Sequence, residues 1–342
     1  MQNPKKLASK ALVLVLSLAM FVWIGKKTDW ESTSNAIKNA SPIWLTMAVV
    51  PMLIAHWLRG ARWNMLTQPA GYTLNKRRSF YAVMSGYLVN VATSRGGEIA
   101  RCALAAKSEK APVETLVGTV ITERIIDLVV LMMMAMLCLV LQFNEMVRFL
   151  FLFKPLQHAA HWFLSSSLWV KIALITLVLV MLGLVFRLLK LKISKWIQQP
   201  QETSGFISKF IAGFKTVFQL EKPLAFWASS ILIWFGYWFS GYFSMKALAI
   251  TADGTLANAL GFMMFSALGV IIPLPAGAGV WATMAFGLQF VYGYSAGDAQ
   301  TFGIFSVAYS NTLMIVFGAI TYLLYFLEMR KLSKTENYEV RR

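Results

Sequence analysis

The sequence predicts an all-α polytopic membrane protein with about six full spans and two re-entrant helical hairpins. Three observations predict it. Hydrophobic residues make up 58% of the 342 residues and charged residues 14%, against about 45–50% and about 25% in a soluble domain. The apolar residues gather in runs, several of them near the roughly 20 residues that a bilayer span requires. Lys and Arg fall mainly in short connections, 22 of the 32 on the side that this trace makes cytoplasmic. The formal net charge of +17 is then orientation information rather than a nucleic-acid footprint. Two cysteines, with Cys138 inside an apolar run, exclude a disulfide scaffold. The histidines are His56, His158 and His161, too few for an expected metal or haem site. No polar stretch is long enough for a soluble catalytic domain. The expected organisation is one integral domain, 1–342, in the cytoplasmic (inner) membrane with both termini cytoplasmic.

The elements follow in order. Lys5, Lys6 and Lys10 precede an apolar run at 11–24, and no small-x-small cleavage site follows it, so an uncleaved first span is expected. A second span covers about 42–58 and ends at Arg59, Arg62 and Trp63. Residues 80–91 and 99–106 are apolar but short, and Thr93 to Glu98 interrupt them. With Lys76, Arg77 and Arg78 before and Lys107 and Lys110 after, they read as a hairpin entering from the cytoplasm. Irregular backbone at membrane depth is tolerated only where protein or a water-filled cavity covers it. A long span at about 116–141 closes the first half, about 1–142. A loop at 144–167 leads to the second half, about 168–328, with spans at 168–186 and 224–248. Between them, 204–220 has the i, i+3, i+4 pattern of an interfacial amphipathic helix. Residues 256–272 and 280–291, interrupted by Pro273 to Gly279, form a second hairpin from the opposite face. A last span at 302–327 leaves 329–342 as a polar cytoplasmic tail. Both halves read span, span, hairpin, span in opposite senses, an inverted repeat of the kind found in secondary transporters.

Three clusters carry the candidate chemistry. In the first hairpin, Arg95, Gly96, Gly97, Glu98 and Arg101 set two arginines about one glutamate. The glycines suit a turn, and a helix N-terminus suits a phosphate or carboxylate. The bland alternative is that Glu98 caps the helix and pairs with an arginine. In the following span Thr119, Glu123 and Asp127 share one helix face beside Arg124. A charge at the bilayer centre costs about 2.5–3.5 kcal/mol on insertion scales, so these acids need partners, and Arg95 and Arg101 are the candidates. The cluster relays protons, binds a headgroup or locks the hairpin to the span. The third cluster is Pro273, Pro275, Gly277 and Gly279, whose freed backbone groups coordinate a ligand or satisfy one another.

Together, Arg62-Trp63, Arg95 to Arg101 (RGGEIAR), Thr119 to Asp127 (TVITERIID) and Pro273 to Gly279 (PLPAGAG) resemble the lysylphosphatidylglycerol synthase transmembrane (flippase-like, UPF0104) family over roughly residues 10–330. The resemblance implies movement of lipids or lipid-linked molecules between leaflets, without the soluble aminoacyl-transferase domain of the family's best-known members. The late motif departs from the family's P-x-P-G-G-x-G-x-x-E, with Ala276 at the first glycine and Ala282 at the acid.

The leading expectation is a non-enzymatic lipid translocase with no cofactor. It would receive a phosphate-bearing phospholipid or polyprenyl-phosphate-linked substrate near Arg95, Arg101 and Arg124, which suit bidentate contact with phosphate. The alternatives are an intramembrane lipid-modifying enzyme, with Glu123 or Asp127 as general base, and a non-catalytic partner of an envelope lipid or glycan synthase.

Overall fold

The computed structural model describes residues 29–93, 96–152, 215–271 and 277–339, with isolated positions between 162 and 176. The spans expected at 11–24 and 168–186, Ser94, Arg95, Pro273, Pro275, Ala276 and most of the amphipathic segment 204–220 lie outside the described residues. Among the described residues all regular structure is helical.

A short helix α1 (Trp30–Lys38) starts at Asp29, whose carboxylate accepts the Ser32 N–H at 3.0 Å. Next come α2 (Pro42–Thr67) and, as the arms of the first hairpin, α3 (Lys76–Ala92) and α4 (Gly96–Glu109). Helices α5 (Val113–Leu141) and α6 (Phe143–Phe151) follow. The later part holds α7 (Pro223–Ala247), the second pair α8 (Leu256–Ile271) and α9 (Ala278–Phe290), and α10 (Ala296–Glu339). Proline at the first position opens both α2 and α7, where its missing N–H costs nothing.

Helices α2, α5 and α10 are long and apolar enough to cross a membrane. Helix α7 has the length, at 25 residues, but its Tyr and Ser side chains lower its apolarity, and Tyr237, Ser240 and Ser244 line a cavity. The arms of the hairpins have 17 and 14 residues, then 16 and 13. At 1.5 Å per residue each is about 20–26 Å long, short of the roughly 30 Å hydrocarbon core. Ile43, Met47, Val50, Ile54 and Trp57 of α2 form an exposed apolar stripe, and Ile121, Ile125, Leu128 and Met132 of α5 form another. Apolar stripes of this kind face lipid.

The packing has a twofold character. Helix α2 packs most extensively on α7, its counterpart. Within the first half α2 meets α3, α3 meets α4 and α4 meets α5; within the second α7 meets α8, α8 meets α9 and α9 meets α10. Across the halves α3 packs on α10, and α8 packs on α5. Each hairpin also closes glycine on glycine. A Cβ on Gly86 would lie 2.7 Å from the Gly97 carbonyl oxygen, and one on Gly269 would lie 2.6 Å from that of Gly279. Gly96 and Gly97 therefore serve close packing inside a helix; neither has the positive φ that the turn reading expected. Gly277 does, at φ 77°, immediately before α9.

Three boundaries differ from the sequence reading. Helix α2 runs through Thr67 instead of ending at 58, because Ala61, Trp63 and Leu66 carry the pattern on and Arg59 and Arg62 find acids inside the bundle. The segment expected to be a loop from 144 begins in helix α6. Helix α10 continues past Arg330 and Lys331 to Glu339, where the sequence reading placed a polar tail; no Gly or Pro follows Gly318 to stop it.

Candidate functional site

The site grows from the α5 face on which Glu123 and Asp127 stand four residues apart. Both carboxylates are buried, and α2 supplies their main partners. Arg59 Nη1 donates to Glu123 Oε1 at 2.6 Å and to Asp127 Oδ2 at 2.8 Å. Arg62 Nη2 donates to Asp127 Oδ1 at 2.7 Å and lies 3.1 Å from Glu123 Oε1, while its Nη1 reaches Ser230 Oγ of α7 at 3.0 Å. Arg101, from α4, donates to the other Glu123 oxygen. Its guanidinium lies 4.5 Å from the Trp63 ring centroid, a cation–π contact. The Trp63 indole N–H donates to Thr119 Oγ1 at 2.9 Å, so Thr119 positions the aromatic platform under Arg101. At the half-exposed edge Arg124 spans Glu98 (2.6 Å) and Asp127 (3.3 Å).

The structure thus brings Glu98, Arg101, Thr119, Glu123, Arg124 and Asp127 together. It adds Arg59 and Arg62, which the sequence reading had counted as cytoplasmic, and it shows every guanidinium of the cluster facing a carboxylate. Two first-turn amides of α4, expected to suit an anion, already have partners: Gly96 N–H donates to Thr93 Oγ1 at 3.1 Å and Gly97 N–H to Asn90 Oδ1 at 2.8 Å. A signal for the missed arginines was available. Two acids at membrane depth demand at least two bases, and apolar residues resume after Arg62 on the same helical period.

A cavity of about 500 Å³ lies beside this cluster. Its wall takes Tyr87 and Asn90 from the tip of the first hairpin, and Val270, Gly277 and Val280 from the tip of the second. Between the tips, α7 presents Tyr237, Ser240, Gly241 and Ser244, and α10 presents Ser306, Tyr309 and Ser310, each set at helical spacing. Gly277 is in the wall, while Gly279 sits in the α8–α9 contact. The sequence reading passed over these hydroxyls because each stands singly in an apolar helix; their three- and four-residue spacing was the legible signal.

Tyr237 joins cavity and cluster. Its hydroxyl accepts from Arg59 Nε–H at 3.2 Å and lies 3.4 Å from His56 Nδ1. Among the described residues no group of His, Cys, Asp and Glu has the makings of a metal site.

Comparison with known proteins places this geometry in a family. The profile of the lysylphosphatidylglycerol synthase transmembrane region matches residues 10–327. A UPF0104 membrane protein of Methanocaldococcus jannaschii is 24% identical over 125 residues, 36% of this chain and 37% of the relative. Another, from Methanothermobacter thermautotrophicus, is 29% identical over 129 residues, 37% of each. The matched stretch therefore spans little more than a third of either relative. No solved structure matches. A profile covering nearly the whole chain, on an all-helical bundle with lipid-facing apolar stripes, makes this protein a member of the lysylphosphatidylglycerol synthase transmembrane-region family of membrane proteins.

Proposed function

We propose that the chain moves a lipid or lipid-linked molecule between leaflets of the cytoplasmic membrane, as a translocase and not as an enzyme. The observation that carries this reading is the cavity, mostly apolar but set with hydroxyls and amides, held between the tips of two short helical hairpins, in a bundle whose contacts repeat about a twofold relation. Transporter sites of inverted-repeat proteins lie at this kind of junction. The ion cluster behind Tyr237 sets four guanidiniums (Arg59, Arg62, Arg101, Arg124) against three carboxylates (Glu98, Glu123, Asp127). Its surplus positive charge favours a headgroup carrying phosphate, on a phospholipid or a polyprenyl-phosphate-linked molecule. Both termini lie in the cytoplasm on this reading, by the distribution of Lys and Arg.

The test is leaflet movement of labelled lipids by the purified protein in liposomes. A Cβ on Gly241 would meet nothing within 4 Å, so Gly241→Trp fills the cavity without a backbone clash. Wild-type protein moves a phospholipid or polyprenyl-phosphate probe, and Gly241→Trp stops it while remaining folded. Unchanged movement by Gly241→Trp takes the cavity off the path. No movement of any probe by folded wild-type protein, under a proton gradient, favours a partner subunit of an envelope-biosynthesis enzyme.

A further inference from the structure

The ion cluster is enclosed except at one edge. The side chains of Arg59, Arg62 and Arg101 are 3%, 0% and 4% exposed, and those of Glu123 and Asp127 0% and 7%. Arg124 and Glu98, by contrast, are 39% and 38% exposed. Their surroundings are apolar: Ile99 beside Glu98, and Ile125 and Leu128 beside Arg124, are exposed as well. Arg124 is the twelfth of the 29 residues of α5, about 17 Å along a helix about 43 Å long. A hydrocarbon core of roughly 30 Å spanned by this helix includes Arg124 at any register. A charged side chain at that depth is costly, and where it occurs it marks a functional group. Neither Arg124 nor Glu98 is among the described residues lining the cavity, so a ligand for this pair comes from the bilayer side of α4 and α5.

Arg124 is also the guanidinium with donors to spare. Its Nη1 reaches Asp127 Oδ2 at 3.3 Å, longer than the about 2.7–2.9 Å of a good charge-assisted bond. Its Nε lies 2.6 Å from Glu98 Oε1 without the alignment of a hydrogen bond. Its Nη2 makes no hydrogen bond among the described residues and, unlike Nε, is not enclosed. Arg59, Arg62 and Arg101 each hold a carboxylate by a short bond. Four guanidiniums against three carboxylates leave one positive charge over among the described residues. A surplus charge in a medium of low dielectric attracts an anion strongly, and Arg124 is where an anion reaches it. The anion that a bilayer supplies at such a place is a lipid phosphate, whose oxygens take bidentate bonds from a guanidinium fork. Glu98 yields its place without parting the helices, because Arg101 of α4 still holds Glu123 of α5.

We infer that Arg124 receives the phosphate of a lipid on the bilayer side of α4 and α5, and that Glu98 is the resident carboxylate which the phosphate displaces. Arg59, Arg62 and Arg101 hold the buried acids and do not touch the lipid. This deepens the translocase reading and rests on it for the docked lipid's being moved between leaflets.

The experiment is native mass spectrometry of the intact detergent-solubilised protein with phosphatidic acid, phosphatidylglycerol and diacylglycerol of equal chain length. The two phosphate-bearing lipids bind at least about tenfold more tightly than diacylglycerol, which lacks the phosphate. Arg124→Gln removes that preference, and Arg124→Lys, which keeps the charge and loses the fork, retains part of it. Glu98→Gln tightens both phospholipids by about two- to fivefold, because it removes a competing half-exposed ion pair; a carboxylate that merely braced the hairpin would give no change or a loss. Arg77→Gln makes the same change of charge at an exposed position where α3 begins, and it leaves the preference as it was. A preference that survives Arg124→Gln, or that falls as far with Arg77→Gln, overturns the inference, and so does weaker binding by folded Glu98→Gln. Inorganic phosphate displacing both lipids at millimolar concentration makes the ligand a free ion and overturns the lipid site. Arg124-dependent binding without leaflet movement defeats the translocase reading and leaves this site standing. Leaflet movement that Arg124→Gln does not alter does the reverse.

Discussion

Replacing Glu123 by Gln tests whether the buried cluster is a balanced unit. Arg59, Arg62 and Arg101 are 2%, 0% and 3% exposed, and they face the carboxylates of Glu123 and Asp127. Glu123 touches all three guanidiniums; Asp127 touches Arg59 and Arg62 but not Arg101 among the ion pairs formed. Glu123→Gln therefore leaves three enclosed cations against one carboxylate and strips Arg101 of its acid. Breaking a buried pair by removing one partner costs about 3–5 kcal/mol, a large share of a typical stability of about 5–15 kcal/mol. Arg101→Leu acts differently. It removes a cation, fills the space with an apolar side chain and leaves two cations against two acids, so its cost falls within about 0.5–3 kcal/mol. The double variant leaves two cations against one acid and loses no more than Glu123→Gln alone, a coupling of about 0.5–3 kcal/mol. Unfolding in mixed micelles, followed by tryptophan fluorescence, measures all three. Additive losses, or a larger loss from Arg101→Leu than from Glu123→Gln, would refute the balanced cluster.

Gly97→Ala drives a Cβ into the Gly86 carbonyl and to 2.7 Å from Asn90; overpacking of this kind costs about 1–3 kcal/mol, read as a lowered melting temperature. Gly277→Ala is strained by φ 77° and by Val307 at 3.0 Å. A left-handed residue with a Cβ costs about 1–2 kcal/mol, and the same melting measurement sees a loss no larger than that of Gly97→Ala. Cys102 and Cys138 are buried in separate apolar clusters, at 0% and 1% exposure. A maleimide should label neither thiol in the folded protein and both after denaturation. Rapid labelling of folded protein at Cys102 would contradict the α3–α4–α5 packing.

The long apolar helices were legible because one-dimensional hydropathy reports them directly: α5 differs from its expected range by only a few residues at its start. The arms of the hairpins were legible through their shortness and through Gly96-Gly97. What failed was the placement of Arg59 and Arg62. Positive charge normally ends a span, and only the third dimension shows that α5 brings two carboxylates to the same depth. The acids of the candidate site were legible in the sequence because two of them in one span need charged partners at bilayer depth, whatever their role. The cavity was not found, because Tyr237, Ser240 and Ser244 are unremarkable singly and acquire meaning only when α7 faces α10. The end of α10 failed for a simpler reason: polarity marks the exit from the membrane but does not stop a helix that contains no breaker.

The ion cluster also fixes which parts can move. It ties α2 through Arg59 and Arg62, α4 through Arg101, and α5 through Glu123 and Asp127, and it reaches α7 at Ser230. Separating any of these helices exposes enclosed charge to an apolar medium, which costs several kcal/mol per ion. Arg78 adds a clamp, joining Glu109 of the first hairpin at 2.7 Å to Glu328 of α10 at 3.2 Å. The second hairpin has no ion pair among its described residues; apolar packing and neutral hydrogen bonds hold α8 and α9, such as Thr283 Oγ1 donating to the Phe265 carbonyl at 2.7 Å. If the chain is a translocase as proposed, opening of the cavity is expected by displacement of α8–α9 against the helices that the cluster ties, since the extensive α2–α7 contact crosses the halves. Spin labels on exposed positions give the check. A pair at Ile99 and Ile121 joins α4 to α5 within the clustered part, and a pair at Ile99 and Val270 joins the first hairpin to the second. Adding whichever phospholipid or polyprenyl-phosphate probe the protein moves in liposomes should shift or broaden the Ile99–Val270 distance distribution and leave the Ile99–Ile121 distribution unchanged. A change in the Ile99–Ile121 pair of similar size would mean that the cluster comes apart during the cycle, and the rigid-body assignment would be wrong.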